Sequence, residues 1–268
     1  MDMGTFHWIL GIEVRCIHEE RKLMLSQKAY IESILRQYGF KDLKPVSTPM
    51  DPASQLSTIQ SPSTTKEYAT MKHIPYNEAV GSLMYATLGT RPDICYAVQT
   101  VSKFNNKLGL AHWEAIKRIF KYLIGTKNLW LCYGSLTKEL HGYVDANRSM
   151  NEDHKAISGY AFMVNGGAVS WSVKHQELIF LSTTKSKYIA VTHAAKEALW
   201  LHMIISQQYH ARTKHIDIWF HFICWVIEDG KLRLIYCPTD EMVADALTKA
   251  LPSTKVKHFA DAFGLVAH

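Results

Sequence analysis

The sequence lacks any long hydrophobic run. No apolar stretch of this 268-residue chain approaches the roughly 18 residues that a membrane helix requires. The first residues, MDMGTFHWILGIEV, contain no basic region, and their apolar part is too broken for a signal peptide. We therefore expect no membrane partner and an intracellular location, either cytoplasmic or nuclear.

Cysteine is scarce, and its spacing forms no known framework. The five cysteines lie far apart and never form a C-x-x-C pair; they are Cys16, Cys95, Cys132, Cys224 and Cys237. An odd, dispersed set argues against both disulfides and a structural zinc site, so free thiols in a reducing compartment are expected.

Several familiar motifs are also missing. The chain contains no G-x-S-x-G elbow, no Walker loop and no dinucleotide fingerprint. His210, His215 and His221 are five and six residues apart, a spacing that does not put them on one helical face as H-E-x-x-H does. Structural or solvent-exposed roles are favoured for these histidines over metal binding.

Acidic residues are nearly absent from one region, Val101–Lys127, where basic residues collect. Glu114 is the single acid there, and the chain as a whole carries a formal charge of +6. The basic residues are Lys103, Lys107, Lys117, Arg118, Lys121 and Lys127. The cluster predicts an anionic partner such as a nucleic-acid backbone, and a solvated helix face explains it equally well.

The first half of the chain predicts a β-hairpin followed by helices. Trp8–Arg15 and Lys22–Leu25 alternate like two strands, and Ser26 caps a helix that ends at Gly39. Proline and serine collect between residues 44 and 65, which indicates a linker or an extended crossing loop. Further helices are expected at Tyr76–Gly89, Ile94–Phe104 and His112–Ile124, the last closed by Gly125.

After about residue 135 the pattern changes to an α/β one. Alternating strands are expected at Leu140–Ala146, Ser158–Val164 and Ala168–Lys174, with a hairpin turn at Asn165-Gly166-Gly167. Then follow helices at Thr184–Ile205 and His215–Glu228, a strand at Lys231–Cys237 and a last helix from Asp240. The order βββ-α-α-β-α describes an α/β domain.

Two carboxylates of this second part are candidates for chemistry. Asp145 ends a predicted strand, and Asp245 lies in MVADALTKAL, which reads as a helix. Facing each other, they would form half of an Mg²⁺ site, although capping or ion pairing is the ordinary alternative. The intervening helix start, LSTTKSKY, is unusual because Lys185 and Lys187 stand where the helix dipole favours acids.

At these residues the sequence becomes recognisable. The matching stretches are LGIEV, STPMDP, YNEAVGSLMYATLGTRPDICYAV, HWEAIKRIFKYLIGT, GYVDA, ISGYAFMVNGGAVSW, LSTTKSKY, KEALWL, HARTKHIDI and VADALTKALP. On them the chain resembles the C-terminal part of the Pol polyprotein of copia-type LTR retrotransposons. The resemblance implies an α/β (α+β) fold in two domains. Residues 1–135 would be a mostly helical, thumb- and connection-like end of the reverse transcriptase, and residues 138–268 a ribonuclease H-like mixed sheet with helices.

The resemblance also shows which catalytic parts have changed. In the family, four carboxylates hold two Mg²⁺ ions that hydrolyse RNA in an RNA–DNA hybrid. Asp145 matches the first carboxylate and Asp245 the last, whereas Lys187 replaces the second, a glutamate. The third carboxylate and its central strand are missing through an internal deletion near residues 205–210. The polymerase aspartates belong to sequence upstream of Met1, so no polymerase site is expected.

These changes predict a loss of activity. Two carboxylates and an ammonium group attract divalent cations far less than four carboxylates do, so we expect Mg²⁺ not to be bound and Lys187 to form an ion pair with Asp145. Lys231–Cys237 should pair beside the first strand or leave its edge open. The chain is thus interpreted as a truncated, degenerate and inactive Pol fragment. In one form of this hypothesis, it still binds the backbone of an RNA–DNA hybrid or a duplex. The alternative is a Mg²⁺-dependent ribonuclease H with a reduced site.

Overall fold

The computed structural model describes residues 7–134, 139–148, 155–177, 182–206 and 226–268. Its strands are β1 (Trp8–Ile9), β2 (Ile12–Ile17), β3 (Lys22–Ser26), β4 (Leu129–Tyr133), β5 (His141–Arg148), β6 (Ala156–Val164), β7 (Gly167–His175) and β8 (Leu265–Ala267). Its α-helices are α1 (Lys28–Gln37), α2 (Thr65–Met71), α3 (Tyr76–Gly89), α4 (Cys95–Ser102), α5 (Leu110–Thr126), α6 (Thr183–Ile205) and α7 (Ser253–Ala262). Short 3-10 helices occupy Thr58–Gln60, Pro92–Ile94 and Val243–Leu247.

The chain divides into two compact units of mixed α and β structure with antiparallel sheets. Unit 1 comprises Met1–Lys138, Val164–Ala168 and Lys249–His268, and unit 2 comprises Glu139–Met163 and Val169–Thr248. The sequence pattern predicted a single domain for residues 138–268. In the structure the final segment, with α7 and β8, groups with unit 1 instead.

The sheet of unit 1 has the order β1-β2-β3-β4-β8, and neighbouring strands are antiparallel. The predicted hairpin is confirmed, with Val14 opposite Leu25. Strands β4 and β8 were not predicted. LWLCY is a continuous apolar run without alternation, and its partners, such as Leu265 opposite Leu131, lie far away in the sequence.

The helices of unit 1 follow the predicted apolar periodicity closely. Helix α3 has the predicted bounds, and α5 buries Ile116 and Phe120 completely. Helix α1 is confirmed, but Gln27 is its N-cap residue, while the Ser26 hydroxyl accepts a bond from the backbone N–H of Lys28. Two details differ from the prediction: α5 continues one residue past Gly125, and α2 forms at the end of the predicted linker.

Unit 2 is built on the sheet β5-β6-β7, as predicted from the three alternating segments. The β6–β7 hairpin turns at Asn165 and Gly166, whose φ angles of 53° and 84° suit a tight hairpin turn. Helix α6 packs against β5. A core cluster forms from Phe162 of β6 together with buried residues of α6, namely Ala194, Ala198 and Leu201.

The predicted strand Lys231–Cys237 is wrong. This segment has no regular secondary structure and joins neither sheet, so β5 has only β6 beside it within the described part of unit 2. Leu232 packs against the core clusters, but Ile235 and Tyr236 are 71% and 87% exposed. One anchored residue does not provide the alternating buried face that fixes a strand in a sheet. Of the prediction's two outcomes, the described residues agree with the open edge.

The predicted helix from Asp240 is also wrong in form. The segment makes the 3-10 helix Val243–Leu247, and α7 begins only after Pro252. Proline has no N–H to donate and restricts the residue before it, which separates the two helices. The predicted helix His215–Glu228, apart from the helical residues 226–228, lies outside the described residues, as do the three histidines and Cys224. No helix among the described ranges has the length and apolar character to cross a bilayer.

Candidate functional site

Asp145 lies within β5, opposite Gly159 of β6. The strand continues to Arg148, so Asp145 does not end it as predicted. Its Oδ2 accepts a hydrogen bond of 2.5 Å from the hydroxyl of Thr248, which is fully buried. A hydroxyl that donates to a carboxylate oxygen fixes its orientation, so Thr248 holds this carboxylate in place.

Asp245 is brought close to Asp145 through the same threonine. It lies in the 3-10 helix Val243–Leu247, packs against β5 and is only 3% exposed. The backbone N–H of Thr248 donates to the carbonyl oxygen of Asp245 at 3.2 Å. The side chain of Asn147 adds a 3.4 Å bond to the Thr248 carbonyl. Thr248, which the sequence analysis had not singled out, thus contacts the carboxylate of Asp145 and the backbone carbonyl of Asp245.

Close packing keeps this 3-10 helix against the sheet. Gly159 of β6 faces it, and a Cβ at that position would lie 2.7 Å from Leu247 Cβ and 2.9 Å from Thr248 Cγ2. Any larger residue would push the helix away from β5. The glycine in the motif ISGYAF is the signal in the sequence that two backbones approach closely here.

Lys187 lies in the first turns of α6, where it is exposed. The predicted ion pair with Asp145 is wrong, because no salt bridge among the described residues joins the two side chains. Asp145 is instead satisfied by Thr248, and a solvated lysine gains little from ordering its long side chain. Ser182 is the N-cap residue, yet its side chain makes no capping hydrogen bond, and the first turn contains no acid.

The described residues offer few ligands for a pair of Mg²⁺ ions. Within the described ranges, no group of three or more His, Cys, Asp or Glu side chains is placed to share an ion. Asp145 accepts the Thr248 hydroxyl, whereas Asp245 contacts Thr248 through its backbone carbonyl oxygen.

The predicted basic face of α5 is partly occupied by contacts within unit 1. Lys117 pairs with Glu114 at 2.5 Å, one turn away. Arg118 donates to the Thr48 hydroxyl at 2.9 Å and lies 3.7 Å from an oxygen of Asp51. Arg118 therefore fastens the crossing segment between α1 and α2 onto the helix, a role that its place in a basic cluster did not reveal.

The other predicted nucleic-acid contacts are placed around the same helix. Lys121 is half-buried, and its carbonyl oxygen accepts the Val46 N–H at 3.4 Å. Lys107 is exposed, while its carbonyl oxygen accepts the Ser61 hydroxyl at 2.7 Å. Lys103 is half-buried. A nucleic-acid interface on these residues stays a prediction, with less unpaired charge than the sequence indicated.

Comparisons with known proteins identify the family. Two Pol polyproteins of transposons match 98% of this chain: "Retrovirus-related Pol polyprotein from transposon TNT 1-94" of Nicotiana tabacum at 39% identity, and that "from transposon RE1" of Arabidopsis thaliana at 32%. The chain spans only 22% and 19% of their lengths. An "Uncharacterized mitochondrial protein" of Arabidopsis thaliana is 31% identical over 74% of this chain and 80% of its own length.

Two further comparisons gave no match: no family model and no solved structure resembles the chain. The similarity to the polyproteins extends over nearly all of the sequence, through both units. It includes the stretches that carry Asp145, Lys187 and Asp245, and it agrees with the predicted assignment. The chain belongs to the copia-type, retrovirus-related Pol polyproteins of transposons.

Proposed function

We propose that this chain is a degenerate segment of Pol whose unit 2 is a ribonuclease H-like domain without ribonuclease activity. Unit 1 would then correspond to the thumb- and connection-like end of the reverse transcriptase. One observation carries the proposal: around Asp145 and Asp245, the described part of the unit contains no group of three or more His, Cys, Asp or Glu side chains that could share an ion. A pair of dications needs more negative charge than two carboxylates supply.

The start of α6 adds positive charge in the segment where the family resemblance places glutamates. Lys185 and Lys187 are exposed there, and the helix N-terminus itself carries a partial positive charge. Neither lysine belongs to a salt bridge among the described residues. A divalent cation drawn toward this terminus would meet repulsion instead of a ligand.

The aligned lengths support an internal deletion. The alignments with the tobacco and Arabidopsis polyproteins run over 289 and 292 positions, more than the 268 residues of this chain. The relatives therefore contain residues that have no counterpart here. This agrees with the proposed loss of the third carboxylate and its strand near residues 205–210.

The test is a cleavage assay on the purified full chain. A labelled RNA–DNA hybrid is incubated with the chain and Mg²⁺ or Mn²⁺, beside an Asp145→Asn variant. We expect no cleavage above that of the variant. Cleavage that disappears in Asp145→Asn would refute the proposal and establish the reduced-site ribonuclease.

A second pair of variants tests the reason for inactivity. Lys187→Glu restores one acid, and Lys185→Glu is its matched control in the same helical turn. Neither should restore cleavage, because the third carboxylate would still be missing. Rescue by Lys187→Glu alone would show that the lysine is the sole defect. Retention of the hybrid on a filter, weakening steeply with added salt, would show that the chain still contacts phosphates.

A further inference from the structure

A short segment of unit 1 lies across the start of α5, and the ribonuclease interpretation does not use it. This latch segment, Ser57–Ser61, contains the 3-10 helix Thr58–Gln60 and packs against α5. Its apolar residue, Ile59, is 87% exposed, and Thr58 and Gln60 are also exposed. Polar contacts, and not a buried apolar face, therefore hold the latch segment to the helix.

Hydrogen bonds join the latch segment to its surroundings at both ends. His112 of α5 is bonded through Nε2 to the Ser57 carbonyl oxygen at 3.1 Å. At the other end, the Ser61 hydroxyl donates to the Lys107 carbonyl oxygen at 2.7 Å. Of these two contacts, the histidine bond is the one that a proton can change near neutral pH.

The hydrogen bonds of His112 fix the protonation state of its ring. The backbone N–H of Gly109, the N-cap residue of α5, donates to Nδ1 at 2.8 Å, so Nδ1 has a lone pair and no proton. The Ser57 carbonyl oxygen can only accept, so Nε2 carries the proton. The closed latch therefore requires a neutral imidazole that is protonated at Nε2.

A second proton on His112 is incompatible with these contacts. The residue is fully buried, and a proton on Nδ1 would face the Gly109 N–H, donor against donor. Phe104 stacks on the ring with 4.0 Å between the centroids, and its face would attract an imidazolium. That attraction is weaker than the cost of a buried charge together with a lost hydrogen bond.

The charged groups beside the ring also oppose its protonation. Lys103 and Lys107 lie on either side of Phe104 in the sequence, and the start of α5 carries the partial positive charge of a helix N-terminus. Glu114 is the acid closest to His112 in the sequence, and its carboxylate is paired with Lys117 at 2.5 Å. The latch segment, STIQS, contributes no titratable side chain.

The helices packed against α5 supply little compensating charge. Helix α4 contains no charged residue, and the charged residue of α3 is Glu78, which is exposed in its first turn. Glu32 of α1 pairs with Lys127 at 3.0 Å, at the opposite end of α5.

Acid therefore favours an open latch. When the latch segment lifts, the His112 ring reaches water and can bind a second proton, which the closed form excludes. Because the open form binds more protons, lowering the pH shifts the equilibrium toward it. A surface segment that is held by a few polar contacts can open locally while the core of its unit stays folded.

We propose that His112 is a pH-operated latch. The neutral ring caps α5 and holds Ser57–Ser61 on the start of the helix, and the protonated ring releases both. Opening uncovers the first turn of α5 and the carbonyl oxygen of Lys107. The inference does not depend on the ribonuclease proposal, because all of these residues lie in unit 1.

Hydrogen exchange of the full chain, followed by mass spectrometry, tests the latch. Exchange is compared at about pH 7.5 and about pH 5, which bracket the ordinary titration of imidazole, with times scaled for the intrinsic effect of pH. Peptides that cover Ser57–Ser61 and Gly109 should lose about tenfold in protection at the lower pH, while α3 stays protected. Equal protection at both pH values, or an equal loss in α3, would overturn the proposal.

A variant assigns the effect to the histidine. His112→Gln keeps an acceptor and a donor but does not titrate, so the pH-dependent loss of protection should disappear. His73→Gln, which replaces an exposed histidine of unit 1, is the matched control and should retain the tenfold loss. A pH-dependent loss that persists in His112→Gln refutes the assignment.

Ring ¹⁵N spectra of the unaltered chain test the same step even if the glutamine variant fails to fold. At the higher pH, the His112 ring should carry its proton on Nε2 alone. Nδ1 should gain a proton over the pH range in which the latch segment loses protection. A ring that already carries both protons at the higher pH, or that stays neutral while protection is lost, would contradict the proposal.

Discussion

Replacing Asp93 with asparagine should destabilise unit 1 by about 3–5 kcal/mol, because it removes the counter-charge of a buried guanidinium. Arg91 Nε and Nη2 donate to the two carboxylate oxygens of Asp93 at 2.9 and 2.7 Å. The two side chains are only 1% and 2% exposed. Thr126 accepts two further bonds from the guanidinium, and the Tyr122 hydroxyl donates to Asp93 at 2.8 Å.

The size of the expected loss of stability follows from the contacts of Asp93 that asparagine cannot make. Its amide offers one acceptor oxygen, and its NH₂ group would face a guanidinium N–H, donor against donor. Burial alone would lower the pKa of Arg91, but Asp93 and Tyr122 outweigh it and raise the pKa. Without Asp93 that support is lost, yet a guanidinium is not deprotonated in proteins, so the arginine of the Asp93→Asn variant stays charged and buried without its partner. Replacing both residues, Arg91→Met with Asp93→Leu, should cost far less than the single change.

Urea unfolding followed by circular dichroism measures both effects. The control is Glu20→Gln, which removes a partner of Lys22 in a pair whose side chains are 50% and 54% exposed, and it should cause no measurable change. A loss below about 1 kcal/mol for Asp93→Asn, within the ordinary range of surface substitutions, would refute the reasoning. So would a double variant that is less stable than either single one.

Two further predictions concern unit 2. Since His193 has a lowered pKa in the folded state, the unfolded chain binds more protons just below pH 6.5, so stability should fall as the pH drops below that value. His193→Gln should flatten this part of a stability–pH curve, and an unchanged curve would contradict the assignment. Gly159→Ala should cost about 1–3 kcal/mol in thermal unfolding, because the added Cβ would lie 2.7 Å from Leu247 Cβ. Gly81→Ala, with nothing within 4 Å of the new Cβ, is the matched control and should be neutral or stabilising.

Local patterns predicted the elements whose stabilising contacts are close in sequence. Helix α3 and the β6–β7 hairpin have this character, since apolar periodicity and the Asn165-Gly166 turn specify them directly. Strands β4 and β8 were missed because a strand exists only with its partner, and theirs are distant. Lys231–Cys237 shows the opposite error, an apolar segment that favours a strand but joins no sheet among the described residues.

For the candidate site, too, the sequence predicted some features and missed others. The identities of Asp145, Asp245 and Lys187 were readable in the sequence, because a motif preserves the order of its residues even when one of them changes. Their contacts were not readable, and the expected ion pair between Lys187 and Asp145 did not form. Thr248 holds Asp145 instead, across more than a hundred positions of the chain.

The sequence by itself determined the family and the local helices and hairpins, since each of these depends on residue order alone. Tertiary structure decided which groups neutralise one another. Arg118 is held by Thr48 and Asp51, Asp145 accepts the Thr248 hydroxyl, and Gln176 retains a buried acceptor without a hydrogen bond from the described residues. The physical reason is that hydrogen bonds and ion pairs depend on distances of a few ångströms, which the packing of segments far apart in the chain creates.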